Sequence, residues 1–355
     1  MHDCKQSDSV VISSGFMKSH PSSSSHAATL RMVADASGVS TTTASRVINN
    51  APHVRPEKRE AVLAAIARLG FVPNTIARAL ADGRSRTVGI VVQHFESPCY
   101  AWTLRGVEEA LSKAGYGLVV ASGHWDRREE ERCVQSLKAR RVDGIIVLTG
   151  TLDDDFLTEL AGELPVVVTG RELKAPGLHC LHSNDFDGGR AATRHLIQRG
   201  HRRIAHITGE PSHPDAIERE QGYRAALEEA GIPLDRALVV RGNYQEPSGE
   251  RGAEDLLRRG IEFTALFAAN DQMAAGAAQA LCRHGLRIPE DVSVVGFDDV
   301  LASAHACPPR TTVNLSPAEL GRRAAAAMLD LLAHKRPRAV APEPELVVRL
   351  STRFV

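Results

Sequence analysis

The sequence predicts a small all-α domain followed by a larger α/β domain with parallel sheets. Two observations indicate this fold class. Residues 29–72 place apolar side chains at helical spacing, and from residue 88 onward short continuous apolar runs alternate with amphipathic stretches. A length of 355 residues is sufficient for two or three domains, each with its own core.

The first 26 residues are polar and serine-rich and lack a helical apolar period, so we expect a disordered leader. They contain no continuous apolar core of the kind a secretory signal needs. No apolar run in the chain approaches the ~20 residues that span a bilayer. The six cysteines are scattered, without a Cys-x-x-Cys pair, which favours a reducing cytoplasm. We therefore expect a cytoplasmic protein with no membrane contact.

Two short helices joined by a tight turn are predicted between Thr29 and Asn50. Thr29 and Ser40 are suitable N-caps, and Gly38 can adopt the positive φ that ends the first helix. The inward face of the first helix is predicted to contain Leu30, Val33, Ala34 and Ser37. The inward face of the second is predicted to contain Ala44, Val47 and Ile48.

The outward face of the second helix would then contain Thr41, Thr42, Ser45 and Arg46. Small side chains let a helix approach a DNA major groove closely, threonine can contact a base edge or phosphate, and arginine can bind guanine bidentately. A pair of short amphipathic helices with glycine at the turn also occurs in many helical domains. The spacing alone leaves both interpretations open.

The net charge of zero conceals a segregation of charge along the chain. Residues 27–87 contain nine Arg or Lys and four Asp or Glu, which gives +5. The leader before them is balanced, so the remainder must total −5. A basic module on an acidic body is typical of a polyanion-binding head on a regulatory domain, although ordinary surface charge can produce the same imbalance.

A third helix is predicted to begin at Pro56 and end at Gly70. Its buried stripe would contain Val62, Leu63, Ile66 and Leu69. Residues 73–83 then predict a helix of about two turns, which is too short to be stable alone in water. A marginal helix between two domains is either a conformational switch or an ordinary linker helix.

Two long motifs, VADASGVSTTTASRVIN and VRPEKREAVLAAIARLGFVPNTIARAL, resemble the headpiece of the LacI/GalR family of bacterial transcription repressors. The resemblance implies a helix-turn-helix DNA-binding domain whose second helix enters the major groove. It assigns base contacts to Thr41, Thr42 and Arg46, and backbone contacts to Ser40, Ser45 and Asn49. One departure is Arg55 before Pro56, where the family more often has serine or threonine.

The same resemblance implies that residues 73–87 form a hinge helix and linker. In the family this helix pairs with its counterpart in a second subunit and inserts a leucine into the minor groove, which kinks the duplex. The matching residue is Leu80, and Ile76 and Ala79 would line the hinge-helix contact. We therefore expect a homodimer on double-stranded operator DNA.

From Val88 onward the pattern predicts βαβ units. Seven strands are predicted from apolar runs at 88–92, 117–121, 144–148, 165–169, 203–207, 264–269 and 292–297. Six helices are predicted at 101–114, 127–140, 187–199, 217–230, 248–259 and 271–284. No Gly-x-Gly-x-x-Gly or Walker lysine pattern is present, so nucleotide-phosphate binding is not supported.

The resemblance continues to the end of the chain through NDFDGGRAATRHLIQRGHRRIAHITG, EREQGYRAAL, FAANDQMAAGA and VSVVGFDDV. It implies that residues 88–355 form a periplasmic-binding-protein-like core of two parallel-sheet lobes, which the chain crosses near 183–187, 313–317 and 334–343. The N-lobe would contain residues 88–185 and 317–333. The C-lobe would contain residues 187–313 and 344–355, with a final strand at Glu345–Arg349.

A small-molecule effector is expected in the cleft between the lobes. By resemblance, the effector-binding residues are Tyr100, Arg219, Tyr244, Asn270 and Asp298, and Arg171 is added as a residue that departs from the family pattern. A carbohydrate is the first choice because an amide such as Asn270 suits hydroxyl groups. The neighbouring acids have other interpretations, because Asp271 is suited to a helix N-cap and Asp299 to a structural turn. Arg219 could instead be a solvated helical residue paired with Glu218 or Glu220.

Two departures from the family pattern lie in the predicted pocket. Gly170-Arg171 stands where the family often has an aspartate, and QHFESPC replaces the more usual acidic turn after the first strand. Arg171 could indicate an acidic sugar or a phosphate, although a surface arginine is commoner. The identity of the effector therefore stays open.

Neither a metal site nor a catalytic site is predicted. The histidines form no i, i+4 pair on a predicted helix, and His179 and His182 point to opposite faces of a strand. No cofactor is expected. The function predicted is a dimeric repressor that binds a pseudo-palindromic operator and is released by a sugar. A corepressor-dependent repressor of the purine-responsive type and, less favoured, a sugar-binding transport protein are the alternatives.

Overall fold

The structure is a computed structural model that describes residues 28–49, 51–71 and 83–355. The described residues form two compact units, one from the first two segments and one from the third. The predictions for the leader and for the hinge residues Ile76, Ala79 and Leu80 lie outside the described residues.

The first unit contains three helices: α1 (Leu30–Ser37), α2 (Thr41–Ile48) and α3 (Pro56–Leu69). The predicted caps are present. The Thr29 hydroxyl accepts from Met32 N at 3.3 Å, and the Ser40 hydroxyl accepts from Thr43 N at 3.2 Å. Gly38 has φ 65°, so the chain turns sharply between α1 and α2.

The core of this unit is formed by Val33, Ala34, Ala44, Val47, Val62 and Ala65. One prediction was wrong. Leu63 is 51% exposed, and Ala65 occupies the buried stripe of α3 in its place. The inward face of α3 is formed by residues 62, 65, 66 and 69. Leu63 directly follows Val62 in the helix, so its side chain points away from that face. Arg55 makes no side-chain cap bond to α3, in keeping with its departure from the usual hydroxyl residue.

The N-lobe of the second unit contains a five-stranded parallel sheet of order β2-β1-β3-β4-β5. Its strands are Thr87–Val92, Gly117–Ser122, Gly144–Val147, Val166–Thr169 and Leu178–Leu181, numbered β1 to β5 in chain order. Helices α4 (Pro98–Lys113) and α12 (Pro317–Leu332) cover one face of this sheet, and α5 (Arg127–Ala139) and α6 (Asp154–Glu163) cover the other.

The C-lobe contains a four-stranded parallel sheet of order β7-β6-β8-β9. Its strands, β6 to β9 in chain order, are Ile204–Thr208, Val239–Arg241, Ala265–Ala268 and Ser293–Val295. Helices α7 (Asp185–Gln198) and α8 (Pro214–Glu229) cover one face, and α9 (Glu246–Arg258) and α10 (Asp271–Arg283) the other. A short 3₁₀ helix (Arg236–Leu238) precedes β7, and α11 is Leu301–Ala304.

Three connections join the two lobes. The chain passes from β5 to α7, returns from β10 (Thr312–Asn314) to α12, and passes again from α12 to β11 (Glu345–Val347). Strands β10 and β11 pair antiparallel. The sequence did not predict β7, β10 and α6, because each strand has three residues and α6 is short and acidic at its start.

Helices within each lobe approach so closely that glycine is required at the crossing. A Cβ atom on Gly222 of α8 would lie 2.2 Å from the Phe186 carbonyl oxygen of α7. A Cβ atom on Gly106 of α4 would lie 1.9 Å from the Ala318 carbonyl oxygen of α12. An added Cβ atom would likewise collide with a backbone carbonyl oxygen at four other crossing positions: Gly189, Gly321, Gly249 and Gly276. These crossings fix the spacing between the helices that frame the cleft.

Candidate functional site

The exposed surface of α2 is polar and made of small side chains. Thr41, Thr42, Arg46 and Asn49 are exposed, and Ser45 is half-buried. The Arg46 guanidinium donates from NH2 to the Pro52 carbonyl oxygen at 3.2 Å, so it lies at the outer surface of the turn that leads to α3. With Ser40, which is also exposed, five of the six headpiece residues predicted to contact DNA are therefore exposed.

Ser40 stabilises α2 in addition to the DNA-backbone contact predicted for it. Its hydroxyl caps α2, and its Oγ lies 2.9 Å from Thr43 Oγ1. A backbone N–H at the start of a helix is a good phosphate donor, so the cap fixes a helix end that suits a polyanion.

The cleft between the lobes of the second unit encloses a cavity of about 100 Å³. The N-lobe side of its lining includes Cys99, Tyr100, Trp125, Thr149 and Gly170. The C-lobe side includes Asp185, Arg219, Tyr244, Asn270 and Asp298. Five of the six predicted effector residues thus line one cavity, and Tyr100 lies in the first turn of α4 rather than in the preceding loop.

Arg219 is the centre of the polar part of the cleft. Its Nε donates to Asp185 Oδ1 at 2.8 Å, and its NH1 donates to the Ala269 carbonyl oxygen at 2.5 Å and to Asp298 Oδ1 at 3.4 Å. The guanidinium carbon lies 3.8 Å from the centroid of the Phe297 ring. The side chain is buried, so the solvated interpretation, with Glu218 or Glu220 as partner, was wrong.

Burial changes the protonation of the carboxyl groups around Arg219. Desolvation raises the pKa of Asp298 to about 8, opposed by Arg219 and reinforced by Asp271 and Asp185. Desolvation also raises the pKa of Asp185 to about 6, again opposed by Arg219. The backbone φ of Asp298 is 99°, a strained conformation of the kind that concentrates at functional sites.

The predicted cap of α10 is displaced by one residue. Asn270 rather than Asp271 is the N-cap, since Asn270 Oδ1 accepts from Met273 N at 2.9 Å. Its Nδ2 donates to the Tyr244 carbonyl oxygen at 2.9 Å, which fixes the loop that presents the Tyr244 ring. Asp271 is buried and accepts from Thr312 Oγ1 at 2.8 Å. Each polar atom of Asn270 keeps one bonding direction for a ligand.

Asp299 takes the structural role favoured from the sequence. Its Oδ1 accepts from Arg349 NH2 at 2.6 Å, and its Oδ2 accepts from Asn314 Nδ2 at 3.0 Å.

Arg171 does not line the cavity, which corrects the effector role considered for it. Its NH2 donates to the Gly150 carbonyl oxygen and its NH1 to the Leu152 carbonyl oxygen, both at 2.6 Å. The buried Glu130 binds the same turn, accepting from Thr151 N at 2.9 Å. The Arg171 guanidinium therefore stabilises the loop of residues 150–152.

The sequence did not identify several residues of the cleft. Trp125 of the N-lobe stacks on His213 of the C-lobe, with ring centroids 3.4 Å apart and an interplanar angle of 15°. His213 in turn lies 5.9 Å from the Tyr244 ring at 16°. Asp185 was quoted only within a family motif. A buried acid beside a buried arginine could have been suspected, whereas the aromatic stack depends on loops distant in sequence.

Within residues 28–49, 51–71 and 83–355, no group of three or more His, Cys, Asp or Glu side chains is arranged to hold a metal ion. None of the helices described there is both long and apolar enough to cross a membrane.

A helix-turn-helix headpiece and a two-lobed cleft in one chain define the class of ligand-controlled DNA-binding transcription regulators. Residues 29–74 match the family model for bacterial regulatory proteins of the lacI family. Residues 85–341 match the model for periplasmic binding proteins and the sugar-binding domain of the LacI family. The chain belongs to the LacI family of transcription regulators, which are DNA-binding proteins and not enzymes.

The relatives share nearly the whole length of the chain. The transcriptional regulator CelR of Thermobifida fusca is 40% identical, covering 91% of this chain and 98% of its own. The transcriptional repressor PurR of Haemophilus influenzae (strain PittEE) is 36% identical, covering 92% and 99%. The regulator GalR of Escherichia coli (strain K12) is 38% identical, covering 87% and 90%.

Solved structures give the same result. The lac repressor dimer bound to operator and the anti-inducer ONPF has a TM-score of 0.84 at 30% identity, covering 92% of this chain and 99% of that one. A complex of the regulator CelR with cellobiose has a TM-score of 0.68 at 39% identity, covering 91% and 99%. The fold class and the family expected from the sequence are confirmed.

Proposed function

We propose that this chain is a cytoplasmic transcriptional repressor that binds a pseudo-palindromic operator as a homodimer and is released by a small neutral carbohydrate. The observation that supports the proposal best is the presence, in one chain, of an outward polar recognition helix and an interlobe cleft with a buried polar centre. The recognition helix provides a surface for DNA, and the cleft provides a site at which a ligand can control DNA binding.

The DNA-binding role rests on the exposed face of α2. Thr41 and Thr42 lie in its first turn, where a recognition helix approaches base edges, and Arg46 follows one turn later. Arginine recognises guanine through two parallel hydrogen bonds. We assign base contacts to these three residues and backbone contacts to Ser40, Ser45 and Asn49. Two copies of such a helix would bind two half-sites related by twofold symmetry.

The choice of a neutral effector follows from the charges around Arg219. One guanidinium faces the carboxyl groups of Asp185, Asp298 and Asp215, the last at 3.8 Å. Asp298 is largely protonated near pH 7, and the carboxylates of Asp185 and Asp215 offset the one guanidinium. These four side chains therefore carry no net positive charge that would attract an acidic sugar or a phosphate. Hydroxyl groups can donate to the carboxyl oxygens and accept from Asn270. Tyr100 and Tyr244 supply rings for the C–H face of a sugar.

The mechanism proposed is a shift between two arrangements of the lobes. An effector that contacts both lobes favours the closed arrangement, and its effect is limited by its difference in affinity for the two arrangements. In a dimer, movement of the lobes changes the placement of the two headpieces on the operator. The hinge residues Ile76, Ala79 and Leu80 are proposed to transmit that change, on the basis of the sequence motif.

A corepressor is the second candidate for the effector. The cleft places aromatic side chains on both lobes, Tyr100 and Trp125 on one and Tyr244 on the other. Such rings would also accept a planar heterocycle, as a purine-responsive regulator requires. In that case the ligand would strengthen operator binding.

The test is operator binding by the purified full-length protein, using the DNA upstream of its own gene as probe. Fluorescence anisotropy would be measured alone and with sugars, sugar acids and purines. Release by a neutral sugar is the expected result. Tighter binding with a purine would move the protein to the corepressor type, and a response restricted to sugar acids would contradict the charge argument. Arg46→Ala should weaken specific operator binding by about 1–3 kcal/mol under each of these conditions.

A further inference from the structure

The cleft is closed at one side by an aromatic contact between the lobes. Trp125 follows β2 of the N-lobe, and His213 precedes α8 of the C-lobe. Their rings are nearly parallel, with centroids 3.4 Å apart. This is face-to-face van der Waals contact across the cleft.

The N-lobe ring is held in a fixed position. His124 and Trp125 have φ values of 53° and 57°, so the turn is tightly defined. Trp125 N donates to Gln93 Oε1 at 2.9 Å, and Gln93 Nε2 donates to the Thr149 carbonyl oxygen at 2.7 Å. The buried Gln93 side chain thus links the carboxyl ends of three neighbouring strands. The backbone of Trp125 is therefore bound to the N-lobe sheet.

The C-lobe ring is equally well supported. His213 is 5% exposed, and its second face is turned to Tyr244, whose carbonyl oxygen is bound by Asn270. Gly209 is required beneath that ring, because a Cβ there would lie 2.3 Å from Tyr244 Cζ. His213 makes no side-chain cap bond to α8. The His213 ring is therefore stacked between Trp125 and Tyr244.

We propose that Trp125 and His213 form an interlobe latch, an aromatic contact that stabilises the closed arrangement of the core before any effector binds. The inference rests on the proposed ligand-controlled function and adds a positioning pair to it. The latch raises the population of the closed state, and it therefore lowers the binding energy that an effector must supply to complete closure. A stacked aromatic pair is sufficient to change that population by roughly two- to tenfold.

The first test uses the effector-free protein. The chain contains only two tryptophans, Trp102 and Trp125, so a Trp102→Phe variant reports Trp125 emission alone. The His213 ring covers one face of the indole, so its removal exposes Trp125 to water. Adding His213→Ala should move the Trp125 emission to longer wavelength, and small-angle X-ray scattering should show a larger radius of gyration. The matched control is His305→Ala, which removes an exposed histidine distant in sequence. Unchanged emission with His213→Ala would overturn the latch.

The second test uses cellobiose as the probe and a double-mutant cycle. Trp125→Ala and His213→Ala should each weaken its binding roughly two- to tenfold, and the double variant should be no weaker than either single one. Additive losses would mean that each ring contacts the sugar separately, which contradicts a latch. Trp125→Phe retains a ring and should restore most of the affinity. If cellobiose fails to bind the unaltered protein, the sugar proposal loses support, while the effector-free emission still decides the latch.

Discussion

Replacing Arg219 by methionine is the most demanding test of the cleft. The change removes the buried guanidinium that binds Asp185 at 2.8 Å and the Ala269 carbonyl oxygen at 2.5 Å, and that stacks on Phe297. Removing one partner of a buried ion pair typically costs about 3–5 kcal/mol of stability. We expect about 3 kcal/mol at pH 7, because Asp298, with a pKa near 8, is largely protonated there already.

The stability that is lost when Arg219 is replaced should decrease as the pH falls. In the unaltered protein burial raises the pKa of Asp185 to about 6 and Arg219 opposes the rise, so without Arg219 the pKa must be higher. The folded variant therefore binds more protons than the folded parent between about pH 8 and pH 6. Lowering the pH in that window reduces the loss by up to about 1.4 kcal/mol per unit, and below pH 6 the difference levels off.

The assay is urea unfolding of the full-length protein at pH 8 and pH 6, followed by circular dichroism. The matched control is Arg224→Met, which removes an arginine from the same helix where it is 53% exposed and paired with Glu220. That change should cost less than about 0.5 kcal/mol. A loss below about 1 kcal/mol for Arg219→Met, or a loss that grows as the pH falls, would refute the reasoning.

Three further predictions concern the headpiece, the helix crossings and the C-lobe core. Arg46→Ala should weaken operator binding by about 1–3 kcal/mol in an anisotropy titration. Arg46→Lys should retain binding to non-specific DNA and lose specificity for the operator. Equal affinities of both variants for operator and non-specific DNA would contradict the base contact. Gly222→Ala should destabilise the core by about 1–3 kcal/mol in urea unfolding, because the added Cβ atom meets the nearby carbonyl oxygen. Gly162→Ala in α6 should be neutral or stabilising, because nothing lies within 4 Å of the added atom. Similar shifts of the urea midpoint in both variants would contradict this reasoning. His206 is buried and desolvation lowers its pKa to about 4, so its neutral form stabilises the fold above about pH 6.5 and up to about 3 kcal/mol is lost as the pH falls toward 4. His206→Leu should remove that part of the pH dependence, and an identical slope in the variant would count against it.

The elements of this fold were largely predictable because their signals are local. Buried parallel strands are continuous apolar runs, and β1 to β4 were found within about a residue of their ends. The three-residue strands β7 and β10 are shorter than the pattern that defines a strand. Leu63 shows the same limit in a helix, since a stripe of apolar residues can be chosen one position away from the face that is buried.

The candidate site was predictable only where a motif supplied it. Tyr100, Tyr244, Asn270, Asp298 and Arg219 line the cavity as the motifs implied. The roles of individual atoms were not predictable, because they depend on partners that are distant in sequence. The amide of Asn270 binds the loop of residue 244, and Arg171 was misassigned because its carbonyl acceptors at 150 and 152 leave no trace in the sequence.

The glycine contacts at the helix crossings have a practical consequence for sensor design. Because a carbonyl oxygen occupies the space where a Cβ atom would be, neighbouring helices cannot slide past one another without a backbone collision. Each lobe should therefore move as one block about the three connecting segments. A pair of dyes, one on the N-lobe through Gly162→Cys and one at the exposed Cys282 on the C-lobe, with the exposed Cys307 replaced by serine, would then report the hinge angle itself. Moving either dye to another outer position on its lobe should rescale the optical signal without changing the ligand concentration at its midpoint.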